Sequence, residues 1–222
     1  LTRLWDIYEI YYFIVNYDKL NYAGNLDNLS DIKSNYKFIK GDINDLKKLN
    51  KIIKKYEITH IVNFAAQTHV DRSIYESAKK FVLANTLGVQ SLLEAVRQNE
   101  IKMILQISTD EVYGSLKLNK EKFVETTPLD TSSPYSASKA GGDLLCLAYW
   151  KTHKTPVVIA RSSNNYGPYQ YPEKIIPFFI FKAMNNEPLP IYGDGLHVRD
   201  WLHVEDNCRA LNLLLHRGKL GE

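Results

Sequence analysis

Five short apolar runs, separated by amphipathic stretches, constrain the fold of this chain more than any other feature. The runs are rich in β-branched and aromatic residues and occupy residues 11–16, 36–40, 59–65, 102–108 and 156–161. Apolar residues recur with helical spacing between these runs, at 45–56, 78–98 and 134–153. Strands that alternate with helices are typical of a parallel sheet covered by helices on both faces. The pattern therefore predicts an α/β protein with a doubly wound, mostly parallel sheet.

Size, charge and cysteine content exclude several classes of protein. With 222 residues and 45% hydrophobic content, the chain can bury a substantial core. The net charge of +3 is spread along the chain, so it does not predict nucleic-acid binding. Cys146 and Cys208 lie far apart with no metal-ligand spacing, which predicts no disulfide framework, no metal site and a cytoplasmic location. The apolar run IYYFIVNY is too short to span a bilayer, so we expect no membrane insertion.

Small and polar residues follow each predicted strand. They are Asp18, residues 41–42, residues 65–68, residues 108–111 and residues 162–165. In open parallel sheets, ligands bind beyond the carboxyl ends of the strands. The candidate site therefore lies along this edge of the predicted sheet.

Tyr135 and Lys139 lie four residues apart in a predicted helix and hence on one helix face. The Lys139 ammonium is predicted to lower the pKa of the Tyr135 phenol toward the working pH. Together with the Thr109 hydroxyl, this pair would form a base that removes an alcohol proton while a hydride leaves to a nicotinamide. The spacing alone fits an exposed helix pair equally well, so the prediction depends on Thr109 lying nearby.

Seven blocks, in order along the chain, give this constellation a family resemblance. The chain resembles the extended branch of the short-chain dehydrogenase/reductase superfamily and, within that branch, the dTDP-glucose 4,6-dehydratases. The matching blocks are residues 17–26, 41–43, 63–74, 108–115, 133–140, 161–177 and 188–206. The resemblance implies a Rossmann-type sheet, NAD as cofactor and a nucleotide-sugar substrate. It also implies an NAD-binding domain at 1–163, part of a substrate-binding lobe at 164–202, and a helix at 203–222 that returns to the first domain.

The resemblance assigns the catalytic roles. Tyr135, with Thr109 and Lys139, would oxidise C4 of the hexose, Glu111 would remove the C5 proton, and Asp110 would protonate the departing C6 hydroxyl. Hydride would then return from the reduced cofactor to C6. Sugar-nucleotide epimerases need no acid or base at C5 and C6, so the Asp110–Glu111 pair favours a dehydratase. Because the two carboxyls have opposite tasks, we expect their pKa values to be pushed apart, with Asp110 protonated.

The cofactor contacts implied by the resemblance cluster at the strand ends. They are Asp18, Lys19, Leu20, Asn21, Asp42, Ile43, Phe64, Ala65, Ala66, Thr68, Tyr135, Lys139 and Asn165. A carboxylate at the end of the first strand accepts hydrogen bonds from the adenosine ribose and disfavours the 2′-phosphate of NADP. NAD is therefore the expected cofactor.

The substrate contacts implied by the resemblance extend into the loosely patterned region after residue 162. They are Thr68, Thr109, Asn164, Lys174, Ile175, Ile176, Pro177, Pro190, Tyr192 and Arg199. The Arg199 guanidinium suits a diphosphate because its fork matches phosphate oxygens in two-point contacts. An ion pair with Asp194 or Asp200 is the alternative role for Arg199.

The chain departs from the family at its start. The family begins with a strand and a Gly-rich turn that seats the NAD pyrophosphate, whereas LTRLWDIYEI matches only the end of the helix that follows this turn. The missing strand would lie between the first and third strands visible here. Unpaired buried groups cost roughly 1–3 kcal/mol each, and domains are stable by only about 5–15 kcal/mol. We therefore expect a fragment or an incomplete gene product that is unstable or rearranged as given.

Several alternatives stay open at this point. The substrate could carry another nucleotide, the enzyme could be an epimerase, or the chain could be an inactive paralogue that binds a partner. The resemblance also implies a homodimer formed through the helices that match 78–98 and 134–153. The product of a dehydratase would feed deoxysugar synthesis, for example of rhamnose for surface polysaccharide.

Overall fold

The protein is described here by a computed structural model covering residues 12–116 and 122–222. The strands are β1 (Ile14–Asp18), β2 (Tyr36–Lys40), β3 (His60–Asn63), β4 (Met103–Thr109), β5 (Val157–Ser162), β6 (Asn164–Tyr166) and β7 (Trp201–His203). The α-helices are α1 (Leu46–Lys55), α2 (Val70–Tyr75), α3 (Lys79–Val82), α4 (Gly88–Arg97), α5 (Pro134–His153), α6 (Ile175–Met184) and α7 (Val204–Arg217). A π-helix, Leu83–Leu87, joins α3 to α4, and 3₁₀-helices span Leu26–Leu29 and Asp110–Tyr113.

Every strand pairing in the described residues is parallel. β1 pairs with β2, β4 lies between β3 and β5, and β6 pairs with β7. The predicted parallel α/β architecture is therefore confirmed. Parallel pairing brings the carboxyl ends of β3, β4 and β5 to one edge, where the candidate site residues lie.

Helices cover both faces of the β3-β4-β5 sheet. On one face, Ile104 and Val157 are buried in a cluster with residues of α1, α4 and α5. On the other face, Leu105 and Val158 pack against Leu211 of α7. Successive residues of a strand point to opposite faces, so these apolar runs serve two cores. Burying each such side chain contributes roughly 1.5–3 kcal/mol relative to leaving it exposed.

Two element boundaries differ from the predictions. The first strand begins at Ile14 and ends at Asp18, whereas the apolar run predicted residues 11–16. The helix predicted at 78–98 is interrupted by the π-helix Leu83–Leu87. Asn85 inside that segment is buried and makes hydrogen bonds to other parts of the chain. These tertiary contacts override the local helical pattern. Single π-helical turns inside α-helices are frequent at functional sites.

An open gap separates β1 from β3. Across the described ranges, no strand pairs with the edge of either that faces the gap. A cavity of about 630 Å³ lies there, lined by residues of β1, β3 and α1. The prediction made for residues 1–10 lies outside the described residues.

Hydrogen exchange should reveal this gap. Ile14 N donates to Asn35 O and Gly41 N donates to Asp18 O, so even-numbered residues of β1 bond to β2. By strand alternation, the amides of Val15 and Tyr17 point into the gap. We expect these two amides to exchange about fivefold or more faster than the amide of Asn16, because a lost hydrogen bond is worth about 1 kcal/mol.

Strand β3, on the other side of the gap, supplies a second, matched comparison. Thr59 O accepts from Lys102 N on the β4 side, so by alternation the amide of Ile61 faces β4 and that of Val62 faces the gap. Val62 should exchange faster than Ile61. Equal protection of alternate amides on both strands would mean that another segment pairs with these edges.

Candidate active site

The Thr109-Asp110-Glu111 sequence forms the turn at the carboxyl end of β4. Thr109 is the last residue of the strand, and Asp110 and Glu111 begin the 3₁₀-helix. Thr109 Oγ1 donates to Asp110 Oδ1 at 3.3 Å and accepts from Glu111 N at 3.3 Å. The turn ends at Gly114, whose φ is +83° and where a Cβ would lie 2.2 Å from the backbone oxygen of Asp130. Only glycine fits there without strain.

Burial changes the protonation of both carboxyls. Burial raises the pKa of Asp110, while hydrogen bonds from Thr109 and nearby backbone groups act against it. Burial and then the charge of Asp110 raise the pKa of Glu111, while the cations of Lys174 and Arg199 act in the opposite direction. The direction for Asp110 agrees with the prediction. The pKa values were expected to separate, but both move upward because both groups are buried.

Helix α5 carries Tyr135 and Lys139 to the same edge. The helix begins with a reciprocal cap between Ser133 and Ser136, and Pro134 occupies its first turn. Both site residues are buried, and Lys139 Nζ donates to the backbone oxygen of Ile107 at 2.5 Å.

Contacts from α2 and α3 hold the first turn of this helix. Ser73 Oγ accepts from Tyr135 N at 3.2 Å, and the rings of Phe81 and Tyr135 meet edge to face with centroids 6.4 Å apart. Tyr135 is therefore held by contacts from two different elements.

The predicted lowering of the Tyr135 pKa is wrong for this structure. Burial and the charges of Glu111 and Asp110 raise the pKa of the Tyr135 phenol, and the nearby Thr109 hydroxyl lowers it only in part. Burial likewise lowers the pKa of Lys139 to about 8. The spacing of the pair correctly predicts one helix face, but the ammonium donates to Ile107 O and desolvation decides the direction of both shifts.

Asn85 is a site residue that the sequence analysis missed. Its side-chain amide donates to Gln67 O at 2.9 Å and to Ser138 Oγ at 2.9 Å, and its Oδ1 accepts from Gln67 N at 2.8 Å. It thereby joins the loop after β3 to the turn of α5 beside Lys139. A buried Asn inside an apolar helical pattern is the signal that could have identified it, since Asn is a poor helix former.

Cofactor-contact predictions at the β1 and β2 ends come together in the structure. Lys19 Nζ forms an ion pair with Asp42 Oδ2 at 2.6 Å, and Asp18 Oδ1 accepts from Leu20 N at 2.6 Å. Although burial acts to raise it, the pKa of Asp42 is lowered by hydrogen bonds from Asn44 and Lys19. Asn21 is exposed beside this cluster.

Two cavities adjoin these residues. One of about 350 Å³ is lined by Asp18, Leu20 and Asn165, and the buried Oδ1 of Asn165 has no hydrogen-bond partner among the described residues. Ile43, Phe64 and Ala65 line the larger cavity between β1 and β3, which also reaches Asp18. Ala66 is partly buried in the same loop.

Two of the predicted substrate contacts, Lys174 and Arg199, lie near Glu111. Lys174 Nζ donates to Thr68 O at 2.8 Å, and Lys174 and Arg199 both lie close enough to act on the pKa of Glu111. Asn164 Nδ2 donates to Asp200 O at 3.4 Å. The first turn of α6 contains Ile175, Ile176 and Pro177, and Pro190 and Tyr192 are exposed.

Arg199 is exposed. Its Nη1 donates to the backbone oxygen of Val198, and in the described part of the chain it forms no ion pair with Asp194 or Asp200. The alternative structural role for Arg199 is therefore not realised.

Residues 12–116 and 122–222 contain no group of three side chains able to hold a metal ion, and none of their helices is long and apolar enough to cross a membrane.

A parallel sheet with a Thr-Asp-Glu turn beside a buried Tyr/Lys helix defines a protein of the short-chain dehydrogenase/reductase class. Comparison with known families is more specific. The chain belongs to the family described as GDP-mannose 4,6 dehydratase, which matches residues 2–222.

Named relatives narrow the likeness within that family. The chain is 49% identical over 211 residues to the low-salt glycan biosynthesis protein Agl12 of Haloferax volcanii, covering 94% of this chain and 66% of that protein. It is 46% identical over 220 residues to a dTDP-glucose 4,6-dehydratase of Xanthomonas campestris pv. campestris, covering 94% and 62%. The chain thus spans less than two thirds of the length of these relatives.

Solved structures agree with the sequence relatives. A Bacillus anthracis dTDP-glucose 4,6-dehydratase in complex with NAD matches with a TM-score of 0.90 and 47% identity, covering 100% of this chain and 69% of that one. A Bacillus cereus UDP-glucuronic acid 4-epimerase in complex with UDP-glucuronic acid and NAD matches with a TM-score of 0.89 and 28% identity, covering 99% and 70%. Dehydratase and epimerase therefore share this fold, and the site must distinguish them.

Proposed function

We propose that the protein catalyses the NAD-dependent dehydration of dTDP-glucose to dTDP-4-keto-6-deoxyglucose. The adjacent carboxyls of Asp110 and Glu111, at the end of β4 beside Tyr135, are the observation that carries this proposal. Eliminating water across C5 and C6 needs one acid and one base, and a turn with two buried carboxyls supplies both. An epimerase would leave this pair without a task.

In the proposed reaction, side chains of this protein carry out the proton transfers. NAD, when bound, supplies the hydride acceptor for C4 and the hydride donor for C6. Tyr135 removes the proton of the C4 hydroxyl as a phenolate, a form that its raised pKa disfavours in the protein without ligands. The resulting ketone acidifies the C5 hydrogen. Glu111 takes the C5 proton, and Asp110 gives its proton to the C6 hydroxyl, which leaves as water. When hydride is then delivered to C6, Glu111 returns a proton to C5. The raised pKa of Asp110 suits this task because it shifts the carboxyl toward the protonated form.

NAD fits the residues at the β1 end. Asp18 terminates the strand beside a cavity that Leu20 and Asn165 also line, and its carboxylate can accept hydrogen bonds from ribose hydroxyls. Relatives of this fold bind NAD, among them the Bacillus anthracis dehydratase. Lys139 would contact the nicotinamide ribose from α5.

The nucleotide-sugar substrate would lie between the Thr109 turn and α6. The exposed guanidinium of Arg199 and the ammonium of Lys174 supply two positive charges for a diphosphate on the side of Glu111. Thr68, whose backbone oxygen accepts from Lys174, lies at the same edge.

Product mass tests the proposal. Incubation with NAD and dTDP-glucose should give a product lighter by one water, whereas UDP-glucose and GDP-mannose serve as nucleotide controls. A product of unchanged mass would indicate an epimerase. No product, with NAD bound, would favour the inactive paralogue.

We further propose a homodimer formed by the outer faces of the π-helix segment and α5. Val82, Leu83, Leu87 and Leu144 are 40–56% exposed on these helices, which pack against each other. Replacing Leu144 with Asp should convert a dimer to a monomer in analytical ultracentrifugation, because it buries a charge in an apolar contact. The matched control is Leu213→Asp on α7, since Leu213 is equally exposed at 55% on a different helix. A wild-type monomer, or dissociation by the control alone, contradicts the proposed interface.

The remaining predictions concern organisation and location. The division into 1–163, 164–202 and 203–222 stays a prediction. A cytoplasmic location stays a prediction from the cysteine content, and cell fractionation tests it. A role in rhamnose and polysaccharide synthesis predicts loss of the deoxysugar from surface glycans when the gene is deleted.

A further inference from the structure

A buried carboxylate lies behind the catalytic helix face, where the proposed reaction gives it no task. Asp143 is one helical turn after Lys139 and two turns after Tyr135, and none of its surface is exposed. One oxygen, Oδ2, accepts from Ser108 Oγ at 2.9 Å and from Arg161 Nε at 2.8 Å. The other oxygen, Oδ1, is buried without a hydrogen-bond partner in the described residues.

The partners of Asp143 belong to the strands that carry the site. Ser108 directly precedes Thr109 on β4. In the sheet register, Arg161 on β5 lies beside Ser108. Arg161 Nη1 donates to Tyr113 OH at 2.8 Å, and its guanidinium lies 5.3 Å from the centre of the Tyr113 ring. Asp143 therefore connects α5, β4, β5 and, through Arg161, the 3₁₀-helix that begins with the two catalytic carboxyls.

Burying an ion-paired carboxylate costs free energy, because the charged group loses its hydration. Desolvation of such an ion commonly exceeds the gain from one ion pair. Burial accordingly raises the pKa of Asp143, while Arg161, Ser108 and Lys139 act to lower it. A neutral side chain could also accept from Ser108, but only a negative charge pairs with the Arg161 guanidinium and acts on the neighbouring Lys139.

Lys139 lies one helical turn before Asp143 on the same helix. Its ammonium is buried and, among the described residues, donates to a neutral backbone oxygen, Ile107 O, on β4. Burial lowers its pKa to about 8, and Asp143 is the largest influence in the opposite direction, followed by Cys146 on the same helix. Burial raises the pKa of the Cys146 thiol, which keeps it neutral, so Asp143 is the anion that acts on Lys139.

We propose that Asp143 is a positioning residue of the site: its carboxylate fixes α5 against the ends of β4 and β5 and keeps the Lys139 ammonium charged. This inference rests on the proposed function for its catalytic meaning. The ion pair with Arg161 and the hydrogen bond from Ser108 set the depth of the helix. The negative charge sets the protonation of Lys139.

The test compares Asp143→Asn with Ser108→Ala. The first removes the charge with little change of shape, and the second removes one hydrogen bond to the same oxygen and leaves the charge. The Lys139 pKa is read from the [¹³Cε]lysine NMR signal, assigned by its absence in Lys139→Arg. We expect Asp143→Asn to lower this pKa by about one unit, because an opposite charge nearby shifts a pKa by about that amount or more. Ser108→Ala should leave it unchanged.

This readout needs no turnover, so it separates the inference from the proposed function. In an active protein, the removal of a negative charge should also move the whole kcat/KM profile to lower pH, because Tyr135 and Lys139 both lose protons more readily. A purely structural role would lower kcat without moving either limb. An unchanged Lys139 pKa in folded Asp143→Asn overturns the proposal.

If Asp143→Asn does not fold, as judged by circular dichroism, the wild-type titration decides. The Lys139 Cε signal must then show a second inflection where Asp143 titrates, since the carboxylate acts on it through space. A single inflection contradicts the proposal.

Discussion

Replacing Tyr135 with Phe is expected to lower kcat by about 10²–10⁴-fold, the range typical for the loss of a positioned general base. The phenol hydroxyl is the only group removed, and the ring keeps its edge-to-face contact with Phe81. Folding and NAD binding should therefore stay close to wild type. Steady-state turnover of dTDP-glucose, together with calorimetric NAD binding, measures both quantities.

Tyr149→Phe is the matched control for this substitution. Tyr149 lies on the same helix, and its hydroxyl donates to Glu94 Oε1 at 2.6 Å, away from the Thr109 turn. It should retain kcat within a few-fold of wild type. Near-normal turnover by Tyr135→Phe, or an equal loss in the control, would remove Tyr135 from the reaction.

Substitution of the two carboxyls should block the reaction at different steps. Glu111→Gln is expected to abolish the exchange of the C5 hydrogen with D₂O and to lower product formation by about 10²–10⁴-fold, because no base remains to take that proton. Asp110→Asn should lower product formation by a similar factor but retain exchange at C5, because the base is intact and only the departure of the C6 hydroxyl is slowed.

Mass spectrometry and NMR of the recovered sugar distinguish these outcomes. Glutamine and asparagine keep the shape of each side chain, so folding serves as an internal control. Exchange that persists in Glu111→Gln and is lost in Asp110→Asn would reverse the two roles. Full activity in both variants would exclude a dehydration at this turn.

The pH dependence of dehydration should follow the raised pKa of Asp110. A carboxyl whose pKa is raised by burial stays protonated to higher pH, and its acid function is lost as pH rises through that value. Dehydration should therefore decline on the alkaline side in wild type, and Asp110→Asn should lack this dependence.

Local sequence patterns predicted the parts of the structure that depend on local periodicity. The runs at 36–40 and 134–153 match β2 and α5 residue for residue. Lys139 follows Tyr135 by one turn and shares its face, which spacing alone determines. The turn after β4 was likewise predictable, because a buried strand must end where Asp110 and Glu111 occur.

Other features depend on contacts between distant segments and could not be predicted from spacing. The π-helix around Asn85 exists because its amide bonds to Gln67 and Ser138, 18 and 53 residues away in the chain. The Asp143–Arg161 ion pair joins a helix to a strand that follows it. The pKa of Tyr135 moves opposite to the prediction because burial is a property of the assembled fold.

The position of deuterium after reaction in D₂O tests the central claim most directly. The protein is incubated with NAD and dTDP-glucose, and the product is analysed by NMR. A 6-deoxy-4-keto sugar that carries solvent deuterium at C5 is the predicted result, because Glu111 exchanges that proton during elimination. A C4 epimer that retains its C6 hydroxyl and an unexchanged C5 hydrogen would contradict the account and assign the site to an epimerase.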